Sequence, residues 1–333
     1  MSDPIVVLDG HTLTPHRPHE PAPPGEPSWD AIARLGQLTL HDRTSDDQIV
    51  ARAQGVPVLL TNKTPLTADT LAQLPDLRYV GVLATGTNVV DLDAAGERNI
   101  TVTNVPGYST DSVAQHAVAL LLALVNHVAG HDAAVRDGQW QRSGDFSFTV
   151  APLTELAGKT LGIVGLGAIG QRVARIGDAL GMRLAAASRR PDAPRPGMEG
   201  LDVQHMPVDD LLATADVLTL HCPLTPDTHH LLDADRLARM KSHAIVLNTG
   251  RGPLIDEPAL AAALHAGQLG GAGLDVLASE PPDAHNPLLT APNCFITPHI
   301  AWATREARTR LMQIAADNLH AYLQGEPTHV VTA

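Results

Sequence analysis

The sequence predicts an α/β protein with parallel sheets, divided into two domains. Short apolar strands alternate with helical segments along most of the chain, which is typical of a parallel sheet covered by helices on both faces. The 333 residues exceed the usual length of one domain and favour about two. Apolar residues make up 44% of the chain but aromatic residues only 3%, so we expect cores of Leu, Val, Ile and Ala.

The first alternating series predicts a smaller, flavodoxin-like α/β domain at the N-terminal end. Its expected strands are 4–10, 37–42, 57–62, 77–85 and 100–105, and its expected helices are 29–36, 46–54, 67–75 and 90–99. The segment 11–27 is too rich in proline to form a helix or a strand.

A long helix is expected over 109–138, with Thr110 or Ser112 near its cap and an interruption at a glycine. The helix is apolar on more than one face, which is typical of a helix buried between domains or subunits. The loop 139–156 follows it.

The second alternating series begins at Lys159 and predicts a doubly wound sheet of six parallel strands. The expected strands are 160–165, 183–188, 216–222, 244–249, 271–276 and 294–299, with helices near 169–180, 208–215, 233–240 and 256–266. The final segment, 302–324, is expected to form an amphipathic helix.

Charge and composition argue against several functional classes. A formal net charge of −13 disfavours a nucleic-acid or membrane-surface binder, which needs a basic face. The longest apolar run, 117–125, is far shorter than the roughly 20 residues that span a bilayer, and the N-terminus lacks the basic region of a secretory signal. Cys222 and Cys294 are too few for a disulfide framework, and no cluster has metal-ligand spacing. We therefore expect a soluble, cytoplasmic protein without a metal site.

A glycine-rich loop after the first strand of the second series predicts dinucleotide binding. The stretch GIVGLGAIG places Gly165, Gly167 and Gly170 in the pattern G-x-G-x-x-G, between an apolar strand and a helix. The first glycine permits a tight turn, the second lets backbone approach a pyrophosphate, and the third allows close helix–sheet packing. The helix N-terminus, at Ala168 and Ile169, attracts the anion. A purely structural turn is the alternative.

The end of the next strand indicates which dinucleotide binds. NAD-binding proteins usually carry an acid there to hydrogen-bond the adenosine ribose, but here Ser188 precedes Arg189 and Arg190. A carboxylate would repel a 2′-phosphate, whereas a hydroxyl and two guanidinium groups can bind one. We therefore expect NADP(H) to be preferred over NAD(H). A solvated loop beside Pro191, or dual specificity, is the alternative.

Candidate site residues follow the ends of the later strands, where ligands lie in open α/β sheets. Arg251, Glu280 and His299 bring a cation, a carboxylate and an imidazole. Taken singly, a surface turn, a solvated loop and a structural histidine are their alternatives. The residues expected beside the cofactor are His221, Cys222, Pro223, Thr228, Thr249, Gly250, Asp275 and His299.

Arg251, Glu280 and His299 match the needs of carbonyl reduction by a nicotinamide cofactor. Hydride transfer to a 2-keto acid builds charge on the carbonyl oxygen, which must be polarised and then protonated. Arg251 could bind the carboxylate and polarise the ketone, and His299 could donate the proton. Glu280, paired with His299, would favour the protonated imidazole.

Several ordered motifs resemble those of the D-2-hydroxyacid dehydrogenase family over nearly the whole chain. They are GIVGLGAIGQRVARI, LNTGRGPLIDEPALAAAL, GAGLDVLASEPP and ITPHIAWAT. The stretches VLATGTNVVDLDAA, NVPGYSTDSVAQHAVALLL and TPHIAWATREAR are most similar to the glycerate dehydrogenase or hydroxypyruvate (glyoxylate) reductase branch. Two departures stand out: Gln115 replaces a common Glu, and Ser188 replaces the usual acid.

The resemblance implies roles for the motif residues. Arg251, Glu280 and His299 would be the catalytic set, and the backbone around Thr85 and Gly86 would hold the substrate carboxylate. The resemblance further implies that Asp275 faces the nicotinamide carboxamide and that Val113 lies near the cofactor. It also implies a homodimer paired through the nucleotide domain, for which the apolar helix 112–130 is suited.

Together these observations predict a substrate domain of residues 1–108 and 302–333 and a Rossmann domain of residues 109–301. We expect NADPH-dependent reduction of hydroxypyruvate or glyoxylate to D-glycerate or glycolate. Trp302 either narrows the substrate pocket or is a core residue. The alternatives are a dehydrogenase for a larger 2-keto acid and an NAD(P)-sensing binding protein on the same fold.

Overall fold

The computed structural model describes residues 3–14, 25–190, 195 and 197–332. Most of the proline-rich segment 11–27, expected to be irregular, lies outside the described residues, as does Pro191. The chain packs as two compact units, which we call the first unit (Met1–Ser109 with Trp302–Ala333) and the second unit (Thr110–Ala301).

Strands and helices alternate in both units. In the first unit they are β1 (Pro4–Val7), α1 (Asp30–Ala33), β2 (Gln37–Leu40), α2 (Ile49–Ala53), β3 (Val58–Thr61), α3 (Ala68–Ala72), β4 (Tyr79–Val82), α4 (Leu92–Glu97) and β5 (Thr101–Thr103). In the second unit they are α5 (Thr110–Asn126), α6 (Val128–Arg136), α7 (Gln139–Ser143), β6 (Thr160–Val164), α8 (Ala168–Ala179), β7 (Arg183–Ala187), β8 (Val203–His205), α9 (Val208–Thr214), β9 (Val217–Leu220), α10 (Ala234–Leu237), β10 (Ile245–Asn248), α11 (Glu257–His265), β11 (Gly271–Leu274) and β12 (Cys294–Ile296). Helix α12 (Arg305–Leu323) returns to the first unit.

The sheet of the first unit is parallel, with the strand order β2-β1-β3-β4-β5. This is the flavodoxin-like order, as predicted. Because successive side chains of a strand point to opposite faces, Ile5 and Val7 of β1 join an apolar cluster with α1 and α12. Val6 and Leu8 join a second cluster, with residues of α2, α3 and α4. The sheet is thus buried on both faces, which explains its continuous apolar strands.

The sheet of the second unit is also parallel, with the order β12-β11-β10-β9-β6-β7-β8. The described residues of this unit form seven strands, so the prediction of six was wrong. The missed strand, β8, lies at the sheet edge and consists of three residues, of which Gln204 and His205 are exposed. Such a strand needs no apolar run and leaves little signal. The strand order reverses between β6 and β9, which is where a doubly wound sheet binds its ligand.

The long helix predicted over 109–138 is in fact two helices, α5 and α6, bent by 53°. The break lies at His127, whose φ of 48° is left-handed, and not at Gly130, which is helical within α6. A left-handed residue cannot continue a right-handed helix, whereas a glycine within one costs only about 1 kcal/mol. The loop predicted over 139–156 contains the short helix α7.

Helix α5 is apolar because it belongs to the core of its own unit. Leu120, Leu121 and Leu124 pack in one buried cluster with Ile163 of β6 and Val173 of α8. Within the described ranges, no single helix is long and apolar enough to span a membrane, and α5 and α6 meet that criterion only as a bent pair.

Candidate active site

The glycine loop forms a cradle between β6 and α8. Gly165 adopts a left-handed φ of 93°, and an added Cβ would lie 2.7 Å from the backbone of His221 and Cys222. A Cβ on Gly170 would collide with the carbonyl oxygen of Gly165, whereas Gly167 faces open space. Each glycine therefore has the local geometry that the motif requires: a turn, an open approach and close packing.

Three arginines lie near the end of β7, one more than the two predicted from the sequence. Ser188 is half-buried, and Arg189 and Arg190 are exposed. Arg195 returns to this point: its Nη2 lies 3.3 Å from Oγ of Ser188 and donates to the carbonyl of Arg190 at 2.5 Å. The sequence signal for Arg195 was weak, because it lies five positions after Arg190 and outside the SRR stretch.

The end of β9 contributes neutral groups. Burial lowers the pKa of His221 to about 4, so its ring is uncharged at neutral pH, and its Nε2 lies 2.9 Å from Oγ1 of Thr219. Burial raises the pKa of the Cys222 thiol, although the charge of Arg189 acts in the opposite direction. The exposed Pro223 follows, and its carbonyl accepts a hydrogen bond from Oγ1 of Thr228 at 2.7 Å. The Thr228 hydroxyl thus holds the turn together.

The end of β10 presents a buried hydroxyl and the candidate arginine. Oγ1 of Thr249 is buried and has no hydrogen-bond partner among the described residues. Asn248 fixes the turn, because its Oδ1 accepts the N–H of Gly250 and its Nδ2 donates to the carbonyl of Arg251. The half-buried Arg251 donates from Nη1 to the carbonyl of Gly250 at 2.7 Å.

Two of these features fit a bound dinucleotide. The open cradle adjoins the first turn of α8, where the N–H groups of Ala168 and Ile169 have no carbonyl of their own helix to bond. The orphaned hydroxyl of Thr249 is the second feature. A buried polar group without a partner costs about 1–3 kcal/mol, which a hydrogen bond to a ligand would offset.

Glu280 and His299 form a close pair. Nδ1 of His299 lies 2.6 Å from Oε2 of Glu280, and Oε1 of Glu280 accepts the N–H of Leu277 at 3.1 Å. The pair is partly exposed, with 26% of the His299 side chain and 37% of the Glu280 side chain accessible. The loop that carries Glu280 also packs against the loop of Arg251, since a Cβ on Gly252 would collide with the backbone of Leu277.

Asp275 organises the segment 297–301, which contains His299. Its carboxylate accepts hydrogen bonds from Oγ1 of Thr297 at 2.6 Å, from the N–H of Ile300 at 2.9 Å and from the N–H of Ala301 at 2.8 Å. Burial opposes its ionisation, but these bonds and one from His116 outweigh burial and lower the pKa of Asp275. His299 itself adopts a left-handed φ of 54°. The aspartate therefore stabilises an uncommon backbone conformation at the candidate proton donor.

His116 is a site residue that sequence reasoning missed. It lies on α5, and its Nε2 is 2.9 Å from Oγ1 of Thr297 and 3.4 Å from Oδ1 of Asp275. The spacing from the buried Val113, one helical turn earlier, was the available signal. The chain has 17 histidines, so this spacing alone could not identify His116 as a site residue.

The other predicted substrate residues lie in the first unit. Thr85 and Gly86 follow β4 in a loop, where Oγ1 of Thr85 donates to the carbonyl of Val105 at 2.8 Å. Trp302 is partly buried against the apolar cluster of the first unit. This packing favours the interpretation of Trp302 as a core residue.

Comparison with known proteins decides the family. The sequence profile described as "D-isomer specific 2-hydroxyacid dehydrogenase, NAD binding domain" matches residues 118–301. The chain belongs to the D-isomer specific 2-hydroxyacid dehydrogenase family. Membership confirms the resemblance of the motifs and identifies the second unit as the one that contains the NAD-binding domain.

Three of the similar proteins bear on activity. The chain is 43% identical over 330 residues to a hydroxypyruvate reductase of Blautia hydrogenotrophica, covering 98% of this chain and 99% of that protein. It is 44% identical over 289 residues to a glycerate dehydrogenase of Methylorubrum extorquens, covering 86% and 89%. The crystal structure of an NADPH-dependent glyoxylate/hydroxypyruvate reductase of Sinorhizobium meliloti with NADP and malonate matches with a TM-score of 0.79 and 30% identity, covering 99% and 97%.

The dehydrogenase has no recognisable metal centre in its described residues. No group of three or more His, Cys, Asp or Glu side chains there is arranged to hold a metal ion.

Proposed function

We propose that this dehydrogenase reduces hydroxypyruvate and glyoxylate to D-glycerate and glycolate, with NADPH as the preferred cofactor. The observation that carries the proposal is the 2.6 Å contact between His299 and Glu280, in the same unit as the dinucleotide cradle. The names of the similar hydroxypyruvate reductase and glycerate dehydrogenase support the substrate class.

His299 is the proposed proton donor. NADPH supplies the hydride when bound. Because Glu280 accepts the hydrogen of Nδ1, the protonated ring of His299 presents Nε2–H as its transferable proton. The Glu280 carboxylate stabilises the imidazolium before transfer. The hydrogen bonds that Asp275 accepts from the N–H groups of Ile300 and Ala301 hold the backbone that carries the ring.

Arg251 and the loop at Thr85 and Gly86 are the proposed substrate-binding groups. The guanidinium of Arg251 polarises the ketone and contributes to carboxylate binding. The N–H groups of Thr85 and Gly86 contribute from the first unit, since backbone donors in a loop suit a carboxylate.

The preference for NADPH rests on the arginines around Ser188. A 2′-phosphate bound there would meet the hydroxyl of Ser188 and the guanidinium groups of Arg189, Arg190 and Arg195, with no carboxylate in the position of the usual acid. The NADP named in the structure of the Sinorhizobium meliloti relative supports the same preference. We propose that the remaining cofactor residues predicted from the sequence, among them Val113 and Thr249, contact the cofactor. Asp275 is the exception, because it acts chiefly on the segment 297–301.

The proposed homodimer forms through an exposed apolar surface of the second unit. We define this apolar surface as the exposed large apolar residues of the segment 122–153, which are Leu122, Val128, Trp140, Phe146, Val150 and Leu153; Phe146 is 91% exposed. Its segments support one another: the N–H of Val150 donates to Nε2 of His131 at 3.2 Å. Large apolar patches on a protein surface commonly mark interfaces. The resemblance implies pairing through helix 112–130, but most of the apolar residues of α5 are buried in their own unit.

The deciding experiment is the initial rate with hydroxypyruvate and with glyoxylate, each with NADPH and with NADH at equal concentration. We expect turnover of both acids with NADPH and a lower kcat/KM with NADH. An NADH preference would contradict the role of the arginines but leave the dehydrogenase activity in place. Turnover of larger 2-keto acids alone would replace the proposed substrate. Tight NADPH binding without turnover of any 2-keto acid would favour a cofactor-sensing protein.

A further inference from the structure

The substrate loop, residues 83–87, has its carbonyl groups anchored inside the first unit. Three successive carbonyls accept hydrogen bonds: Leu83 from Nδ2 of Asn62 (2.5 Å), Ala84 from the N–H of Val105 (3.0 Å) and Thr85 from Nδ2 of Asn104 (2.7 Å). No hydrogen bond within the described part of the chain uses the N–H of Thr85 or of Gly86. The loop therefore has the carbonyls of residues 83–85 occupied, while the N–H groups of Thr85 and Gly86 are available for an anion.

Asn104 is itself held by a buried asparagine of α12. Asn318 is only 1% exposed, and its Nδ2 donates to the carbonyl of Asn104 at 2.8 Å. Its Oδ1 accepts from Oγ1 of Thr328 at 3.1 Å and lies 2.8 Å from Nδ1 of His329. A continuous chain of side-chain and backbone hydrogen bonds thus runs from the C-terminal segment through Asn318 and Asn104 to Thr85.

Backbone bonds hold the C-terminal segment in place independently of the side chains of residues 328 and 329. Val330 pairs antiparallel with Thr103, and the N–H of Val331 donates to the carbonyl of Val102 at 2.8 Å. The N–H of Asn104 also donates to the carbonyl of His329 at 3.2 Å. Side-chain substitutions at residues 328 and 329 can therefore alter the polar chain without releasing the segment.

We propose that Asn318 and Asn104 are positioning residues for the substrate carboxylate, and that Thr328 and His329 tune its affinity through them. The proposal rests on the proposed role of Thr85 and Gly86. When Asn318 no longer fixes Asn104, the carbonyl of Thr85 loses its oriented donor and can turn toward water. The two N–H groups then converge less well on a carboxylate. Affinity for the acid falls, while the chemistry at His299 is unaffected.

The test compares three variants with a matched control on α12. Asn318→Asp keeps an acceptor for Thr328 and His329 but removes the donor to Asn104, and Asn104→Asp removes the donor to Thr85. We expect each to raise KM for hydroxypyruvate about five- to tenfold, with kcat within about twofold of wild type and Kd for NADPH unchanged. Gln313→Ala, which removes a surface bond to Asp317 on the same helix, should leave all three values unchanged.

The third variant remains informative if a buried aspartate prevents folding. His329 has a left-handed φ of 54°, so His329→Gly removes the side chain without straining the backbone. We expect a rise in KM of about two- to threefold, again without a change in kcat. A fall in kcat together with weaker NADPH binding would indicate general structural damage and would overturn the proposal. So would an unchanged KM in all three variants.

Binding of oxamate, a non-reacting 2-keto acid analogue, to the NADPH complex tests the positioning role separately from the proposed reaction. It reports carboxylate affinity by NADPH fluorescence without turnover. If the wild type fails to reduce hydroxypyruvate and glyoxylate but binds oxamate more tightly than the variants do, the proposed reaction fails and the positioning role stands. Equal oxamate affinity in the wild type and all variants would remove the positioning role, whatever the reaction.

Discussion

Nδ1 of His299 lies 2.6 Å from Oε2 of Glu280, while the other carboxylate oxygen of Glu280 accepts the N–H of Leu277 at 3.1 Å. The carboxylate is thereby tied to its own loop by one oxygen and to the imidazole by the other. Because the ring is held through Nδ1, its Nε2 is the nitrogen left to exchange a proton with a substrate.

Replacing His299 should abolish most catalysis without weakening cofactor binding. His299→Asn suits the left-handed backbone, which asparagine tolerates, and should lower kcat by about 10²–10⁴-fold because the proton donor is lost. Steady-state rates with hydroxypyruvate and NADPH fluorescence titration measure the two effects. His127→Asn makes the same change at a left-handed histidine in the helix break and should be silent. Near-wild-type turnover in His299→Asn would assign the proton to another group.

Removing the charge of Glu280 should slow the reaction less than removing the imidazole. Glu280→Gln keeps a carbonyl oxygen that can accept the hydrogen of Nδ1 but no longer stabilises the imidazolium, so kcat should fall about tenfold to a hundredfold. Glu257→Gln is the comparison, because Glu257 accepts the N–H of Ala278 in the same loop and does not contact His299. If the two variants lose kcat equally, Glu280 acts on loop structure and not through its charge.

Arg195 should contribute to the choice between NADPH and NADH. Arg195→Ala should raise KM for NADPH about tenfold and leave KM for NADH unchanged, because only NADPH carries the 2′-phosphate that the guanidinium would bind. Ser188→Asp should go further and invert the preference through repulsion of the phosphate. Arg175→Ala, which removes the bond from Arg175 to the carbonyl of Gly197 in the same loop, controls for loop disorder. Parallel losses with both cofactors would refute a phosphate contact.

Asp275 should stabilise the fold in a pH-dependent manner. Its pKa is lowered in the folded state, so its stabilising contribution is present above the unfolded value of about 3.9 and is lost as pH falls through the folded value. Asp275→Asn should therefore lower the free energy of unfolding by about 2–4 kcal/mol at pH 7, with a smaller difference at low pH. Urea unfolding at a series of pH values gives both quantities. A difference that does not change with pH would show that the charge of Asp275 is immaterial.

The apolar surface of the second unit should be required for dimerisation. Phe146→Ser combined with Trp140→Ser removes its two aromatic side chains and should shift the molar mass in light scattering from that of a dimer toward that of a monomer. Leu289→Ser, at an exposed leucine elsewhere in the second unit, is the control. A wild-type monomer, or a dimer that survives the double substitution, would place the interface elsewhere.

The sequence alone predicted the fold class, the two parallel sheets except for the strand β8, and the family. Each rests on local signals: continuous apolar strands, the glycine loop at Gly165, and ordered motifs around Arg251 and His299. Site residues that directly follow a strand can be predicted in this way, because ligands bind at the carboxyl ends of the strands in an open parallel sheet. The strand β8 and the break at His127 were not predicted, since an exposed edge strand and a single left-handed residue produce no distinctive composition.

Only the tertiary structure identified the partners that lie far apart in the chain. Asp275 bonds to His116, about 160 positions earlier, and Asn318 to Asn104, at a separation of 214 residues. The contact of Arg195 with Ser188, seven positions earlier, likewise appears only in the structure. A polar side chain in a sequence shows what it can donate or accept, but burial decides whether that capacity must be satisfied, and packing decides by which residue. The sequence determined the chemistry available to this dehydrogenase, and the fold determined which groups hold that chemistry in position.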